Sequence, residues 1–224
     1  MTALPITHFS DVLCVWAYIG QLRVDAVERT FGSQVRLRFR FCSVFGDAHH
    51  KIRMAWAQKG GFEGFNAHLR QAASDFPEIK LHPDLWLNVR PASSMSPHLF
   101  LSAVALAEAA GEAPSGAAEA TAKAVRAAFF GDARDVARRA VLADIGAEGG
   151  LDVDRVNARI EDGSAFAALA ADYHEAETNG IKGSPTWVLN DGRQNLYGNV
   201  GYRVIDANIR ELLRSPTPDQ ASWC

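Results

Sequence analysis

The segment Ser10-Asp11-Val12-Leu13-Cys14-Val15-Trp16-Ala17-Tyr18-Ile19-Gly20 marks a change of period along the chain. Before it, Leu4 to Phe9 is short and extended in character and carries Pro5. After Ser10-Asp11, the apolar residues Val15, Ile19, Leu22 and Ala26 recur at helical spacing. The reading is a strand that feeds a helix, with a thiol at the junction. Unpaired N–H groups and the positive end of the helix dipole favour a thiolate, so a first-turn Cys14 is predicted to have a depressed pKa. A cysteine among apolar neighbours is equally an ordinary small buried hydrophobe, and the segment alone leaves both readings open.

Outward from this junction, Val35 to Phe45 alternates, with Val35, Leu37, Phe39 and Phe41 on one face and Arg36, Arg38 and Arg40 on the other. The arginines suit the edge of a sheet. Strand, helix and strand at this spacing predict a right-handed parallel unit. Residues 46–93 are broken by Gly60-Gly61, Gly64, Pro77, Pro83 and Pro91, and a helix is expected near 50–74 followed by loops. From Pro97 to about Asn179 the chain is alanine-rich with helical periodicity, punctuated by turn signals at Gly111, Gly131, Gly149-Gly150 and Gly163. Past Gly180, Thr186 to Leu189 is β-prone, Asn190-Asp191-Gly192 is a tight-turn signature, and Arg193 to Tyr197 returns as a hairpin. An amphipathic helix through Ile205, Ile209 and Leu212-Leu213 closes the chain. The pattern is that of an α/β thioredoxin fold interrupted by an α-helical subdomain. Residues 1–45 and 180–214 would form the thioredoxin-like domain, 46–179 the helical insertion, and 215–224 a flexible tail.

Composition narrows the function. The 224 residues are 48% hydrophobic and 22% charged, enough to bury a sizeable core. The 23 basic and 26 acidic residues give a formal net charge of −3, which offers no basic field for nucleic acid. Cys14, Cys42 and Cys224 cannot make a secreted disulfide framework, and no apolar run reaches membrane-spanning length. A cytoplasmic protein with no membrane partner is expected.

Two motifs together carry a family resemblance: the opening segment, and Gly180-Ile181-Lys182-Gly183-Ser184-Pro185-Thr186-Trp187-Val188-Leu189. The chain resembles the DsbA-like group that contains FrnE-type oxidoreductases, 2-hydroxychromene-2-carboxylate isomerases and kappa-class glutathione transferases, over about residues 4–214. Asp11, Val12, Cys14, Trp16, Tyr18, Ile19 and Gly20 match the first motif. In the second, the resemblance implies a cis proline, Pro185, facing a catalytic Cys14. Two departures matter: Val15 stands where the oxidoreductases have proline, and Ala17 where they have the second cysteine. Dithiol exchange within the motif is therefore impossible.

The resemblance then implies glutathione as co-substrate, with Cys14 either holding the glutathione thiolate or forming a mixed disulfide that a second glutathione resolves. The Ser184 backbone is expected to pair with an extended cysteinyl peptide. Trp16 is expected to line the pocket and Tyr18 to lie in the core. Asn199, before the last helix, is a candidate for the γ-glutamyl carboxylate or equally a helix cap. Phe45, His49 and Lys51 are weaker candidates for pocket lining. Asp47, His49 and His50 match no metal spacing, and no metal is expected. Cys42 reads as a buried spectator, although the strand arginines offer a way to lower its pKa; Cys224 is an alternative resolving thiol. The expected function is a thiol-dependent isomerase, transferase or monothiol redox enzyme acting on a small organic substrate. A protein thiol-disulfide oxidoreductase and a non-catalytic peptide-binding module are the alternatives. A homodimer is an open expectation.

Overall fold

A computed structural model describes residues 3–214. The tail, with Cys224, lies outside the described residues. Strand β1 (Leu4–Ser10) leads into helix α1 (Val15–Phe31), and β2 (Val35–Phe41) follows. The chain then runs through α2 (Ala48–Trp56), α3 (Gly61–Ala73), α4 (Met95–Ala109), α5 (Ala117–Phe130), α6 (Arg139–Glu148), α7 (Val153–Glu161) and α8 (Ser164–Thr178). It returns through β3 (Thr186–Leu189) and β4 (Gln194–Tyr197) and closes with α9 (Tyr202–Leu213). This is an α/β thioredoxin fold with a helical insertion.

The sheet order is β2-β1-β3-β4, with β1 parallel to β2 and antiparallel to β3, and β3 antiparallel to β4. The Arg-rich strand is therefore at an edge. Its alternation decides which side each residue serves. Val35 joins Leu4, Ile6, Val24, Val27, Ile205 and Ile209 in a core between the sheet and helices α1 and α9. On the other face, Arg38 and Arg40 bond to Glu175 of α8 at 3.3 and 3.2 Å.

The expected single helix over 50–74 is two helices. Gly60 takes φ 85° and breaks the run, and the chain restarts with the Gly64 N–H donating to the Gly60 carbonyl. A Cβ at Gly64 would fall on the Lys59 carbonyl oxygen, so glycine there is a packing requirement. The packing also crosses the sequence boundary drawn near residue 45. Val12, Leu13, Cys14, Ala17 and Ile19 belong to the same core cluster as Ile52, Leu69, Phe100, Leu101 and Phe129 from the insertion. The start of α1 is thus gripped by the inserted helices rather than resting on the sheet alone.

Candidate active site

Cys14 is the N-cap of α1, in extended conformation, and its carbonyl accepts from the Ala17 and Tyr18 N–H groups. Across from it the Ser184–Pro185 peptide is cis. The Cys14 thiol donates to the Ser184 carbonyl at 3.2 Å, and the Ser184 hydroxyl accepts the Asp11 N–H at 2.8 Å. Gly20, one turn and a half along α1, faces the proline loop, where a Cβ would stand in ordinary contact 3.6 Å from Pro185 Cγ and a longer side chain would meet the ring. Cys14, Ser184 and Pro185 are thereby brought together.

The electrostatics correct the sequence expectation for the thiol. Cys14 is only 7% exposed, and burial raises its pKa above the ordinary thiol value. Ser184 and the Ala17 N–H pull it down, the Asp11 charge pushes it up, and the Trp16 N–H pulls it down again; burial outweighs them. The helix start does act on the sulfur as anticipated, but a dry environment costs a thiolate more than two N–H groups return. The resting group is a neutral S–H donor. The Ser184 backbone, expected to pair with an extended peptide, here accepts the Cys14 S–H at its carbonyl.

Behind Cys14 lies a buried polar framework that sequence reading missed as a functional element. Asp11 is fully buried and accepts from the Leu13 N–H at 2.9 Å, the Val44 and Phe45 N–H groups at 2.9 and 2.8 Å, and the Ser94 hydroxyl at 2.8 Å. One carboxylate thus ties the Cys14 turn to the loop after β2 and to the start of α4. His98 Nε2 accepts the Val12 N–H at 3.1 Å, which places its proton on Nδ1, donating to the Tyr173 hydroxyl at 3.0 Å. Burial holds its pKa down at about 4 despite the Asp11 charge, so the 3.8 Å approach to Asp11 joins a neutral imidazole to a carboxylate. The only sequence signal for His98 is a histidine on an apolar alanine-rich helix, which does not distinguish a site from a satisfied core residue.

The other candidates are dispersed. Trp16 is half-buried and edge-on to His68 of α3, with ring centroids 6.4 Å apart. Tyr18 is half-buried and stacks on Phe130 at 4.7 Å. Asn199 is exposed and does not cap α9, whose N-cap is Gly201. Phe45 is core, stacked on Trp86, with Lys51 Nζ over its ring 5.4 Å from the centroid. His49 Nε2 lies 3.0 Å from the Arg90 carbonyl, and Asp47 caps α2 through the His50 N–H. Cys42 is buried with Sγ 3.9 Å from the Gly183 carbonyl, and burial raises its pKa; the strand arginines do not lower it, because Arg38 and Arg40 reach to α8. Asp25, Glu28 and Glu119 gather closely enough for a cation, but the Lys123 ammonium already bridges Asp25 and Glu119.

A strand-ended thiol at a helix start, faced by a proline loop, with a helical insertion after the second strand, defines a thioredoxin-fold protein of the Dsb type. Residues 5–210 match the DSBA-like thioredoxin domain, and the chain belongs to that family. Among curated proteins none matches it. Solved structures share the fold at low identity. A probable DsbA oxidoreductase from Streptomyces coelicolor is 21% identical, with 96% of this chain and 92% of that one covered and a TM-score of 0.74. The cytosolic disulfide reductase DsbM from Pseudomonas aeruginosa, with GSH, is 21% identical over 92% of this chain and 100% of that one, at a TM-score of 0.63. A 2-hydroxychromene-2-carboxylate isomerase is 17% identical over 97% of this chain and 100% of that one, at 0.66. Among the described residues no helix is long and apolar enough to cross a membrane.

Proposed function

We propose that the chain is a glutathione-dependent enzyme of the isomerase or transferase type, in which the Cys14 thiol holds the thiolate of bound glutathione while that thiolate attacks a small organic substrate. The single observation that carries this reading is the state of Cys14: a lone, buried, protonated thiol that donates to the Ser184 carbonyl, with Ala17 where a second thiol would stand. Such a group is built to donate a hydrogen bond, as a serine would. Glutathione enters as an extended peptide along Ser184-Pro185, displaces the Cys14 bond from the Ser184 carbonyl with its own N–H, and presents its sulfur to the freed S–H. Trp16 lines the substrate side and Asn199 serves the γ-glutamyl end. The GSH in the DsbM structure supports the choice of thiol. We assign the protein to the cytoplasm, in keeping with the cytosolic DsbM.

A second reading is monothiol exchange. Cys14 attacks a glutathione mixed disulfide R–S–S–G, releases R–S⁻ and becomes glutathionylated; a second glutathione thiolate then regenerates it and leaves as glutathione disulfide. The Ala17 and Trp16 N–H groups near the sulfur favour it. Two variants separate the readings. Under thiolate holding, Cys14→Ser keeps glutathione-dependent turnover and Cys14→Ala loses it. Under monothiol exchange both lose it, and wild type treated with glutathione disulfide gains the mass of one glutathionyl group at Cys14. Full activity in Cys14→Ala refutes both.

A further inference from the structure

A cavity of about 250 Å³ opens between the edge strand β2 and helices α4, α5 and α8. At roughly 10–15 Å³ of such space per water, it has room for a small organic molecule. Its volume has a sequence origin: Ala105, Ala118, Ala122 and Ala168 project where larger side chains would close it. Phe39, Phe41, Leu101 and Leu106 supply apolar walls. Cys14 does not line it.

One wall is charged. Arg126, only 6% exposed, lines the cavity and donates from Nη2 to the Ser10 hydroxyl at 2.9 Å and from Nη1 to Gln21 Oε1 at 3.1 Å. Its Nε is buried with no partner. Both partners are neutral, and among the described residues no carboxylate lies in salt-bridge contact with it. The buried carboxylate of Asp11 is saturated by backbone and Ser94 donors. A guanidinium taken out of water is costly; the Asp11 and Glu119 charges act on Arg126 only through space, neither in direct contact, and an anion bound to it directly would relieve that cost. The other charges on the walls are already neutralised. Arg40 pairs with Asp172 and Glu175, each at 3.2 Å, and Glu119 pairs with Lys123 at 2.6 Å.

We propose that this cavity is a binding site for a hydrophobic monocarboxylate, its apolar body between β2 and the inserted helices and its carboxylate on Arg126. The proposal is independent of the role given to Cys14. The probe is octanoate, titrated calorimetrically against the intact protein, with octanamide as the uncharged isostere. Octanoate binds at least about ten-fold more tightly than octanamide, the scale of a charge-assisted hydrogen bond. Arg126→Gln abolishes that preference while leaving octanamide unchanged, and Ala122→Phe, which fills the cavity, eliminates both. Cys14→Ala binds octanoate as wild type does. The proposal is overturned if octanoate does not bind at millimolar concentration, if acid and amide bind alike, if a folded Arg126→Gln keeps the preference, or if Cys14→Ala loses binding. Should Arg126→Gln not fold, the wild-type acid-to-amide ratio and Ala122→Phe decide.

Discussion

Replacing His8 by leucine tests how dry the centre of the sheet is. His8 sits on β1 between its ladder neighbours Trp187 and Phe39, with ring centroids 4.7 and 6.1 Å away, and is 2% exposed. Neither ring nitrogen has a partner. Burial, and secondarily the Arg126 charge, pull its pKa down to about 3. An unfolded histidine titrates near 6.5, so at pH 4.5 the unfolded chain holds a proton at this site that the folded chain refuses. A depressed histidine pKa gives stability that is complete above the unfolded value and lost as pH falls toward the folded value. Two pH units between 6.5 and 4.5 correspond to about 3 kcal/mol. His98, at about 4, acts in the same direction; Asp172, raised to about 6 by burial, acts in the opposite one. Both remain in the variant and cancel in the comparison. Urea unfolding at pH 7.5 and pH 4.5 should therefore show His8→Leu losing about 3 kcal/mol less than wild type across that interval. At pH 7.5 the variant should be no less stable, because two orphaned nitrogens are replaced by apolar surface of similar volume. An equal loss of stability on acidification in the two proteins would refute the reasoning.

Asp11→Ala strands three backbone N–H groups and the Ser94 hydroxyl, at about 1–3 kcal/mol for each buried donor, and chemical denaturation should register a cost of at least about 4 kcal/mol. In Asp11→Asn the loss of negative charge should lower the Cys14 pKa, read as thiolate absorbance against pH; an unchanged or higher value contradicts the assigned direction. Ala17→Cys should create a dithiol that oxidises within the motif, seen as the loss of two titratable thiols and a gain of insulin-reducing activity. Gly20→Ala should be neutral or stabilising by up to about 1 kcal/mol, since its Cβ makes ordinary contact with Pro185, whereas Gly20→Leu should push the proline loop off Cys14 and remove activity. Equal activity in the two Gly20 variants would show that this contact does not position the loop.

The periodicities that produce the fold are local and were legible. Alternation in β2, helical spacing in α1 and the Asn190-Asp191-Gly192 turn each need only a few consecutive residues. The break at Gly60 has a local signal in Gly60-Gly61, but the need for glycine at 64 does not, because it comes from the approach of the Lys59 carbonyl, a matter of chain path rather than of propensity. The thiol, the proline loop and the missing second cysteine could likewise be read from two short motifs.

Neighbours along the chain set the strand, turn and helix that carry Cys14, whereas Ser184 and Pro185 were expected opposite it only through the family resemblance and are brought there across 170 residues by the fold. Whether the sulfur there is charged was decided only in three dimensions. Its pKa depends on how much water the inserted helices exclude and on a carboxylate whose partners come from residues 13, 44, 45 and 94. His98 and Tyr173 enter the same framework from helices more than eighty residues away along the chain, and solvation, unlike periodicity, leaves no repeat in the sequence to read.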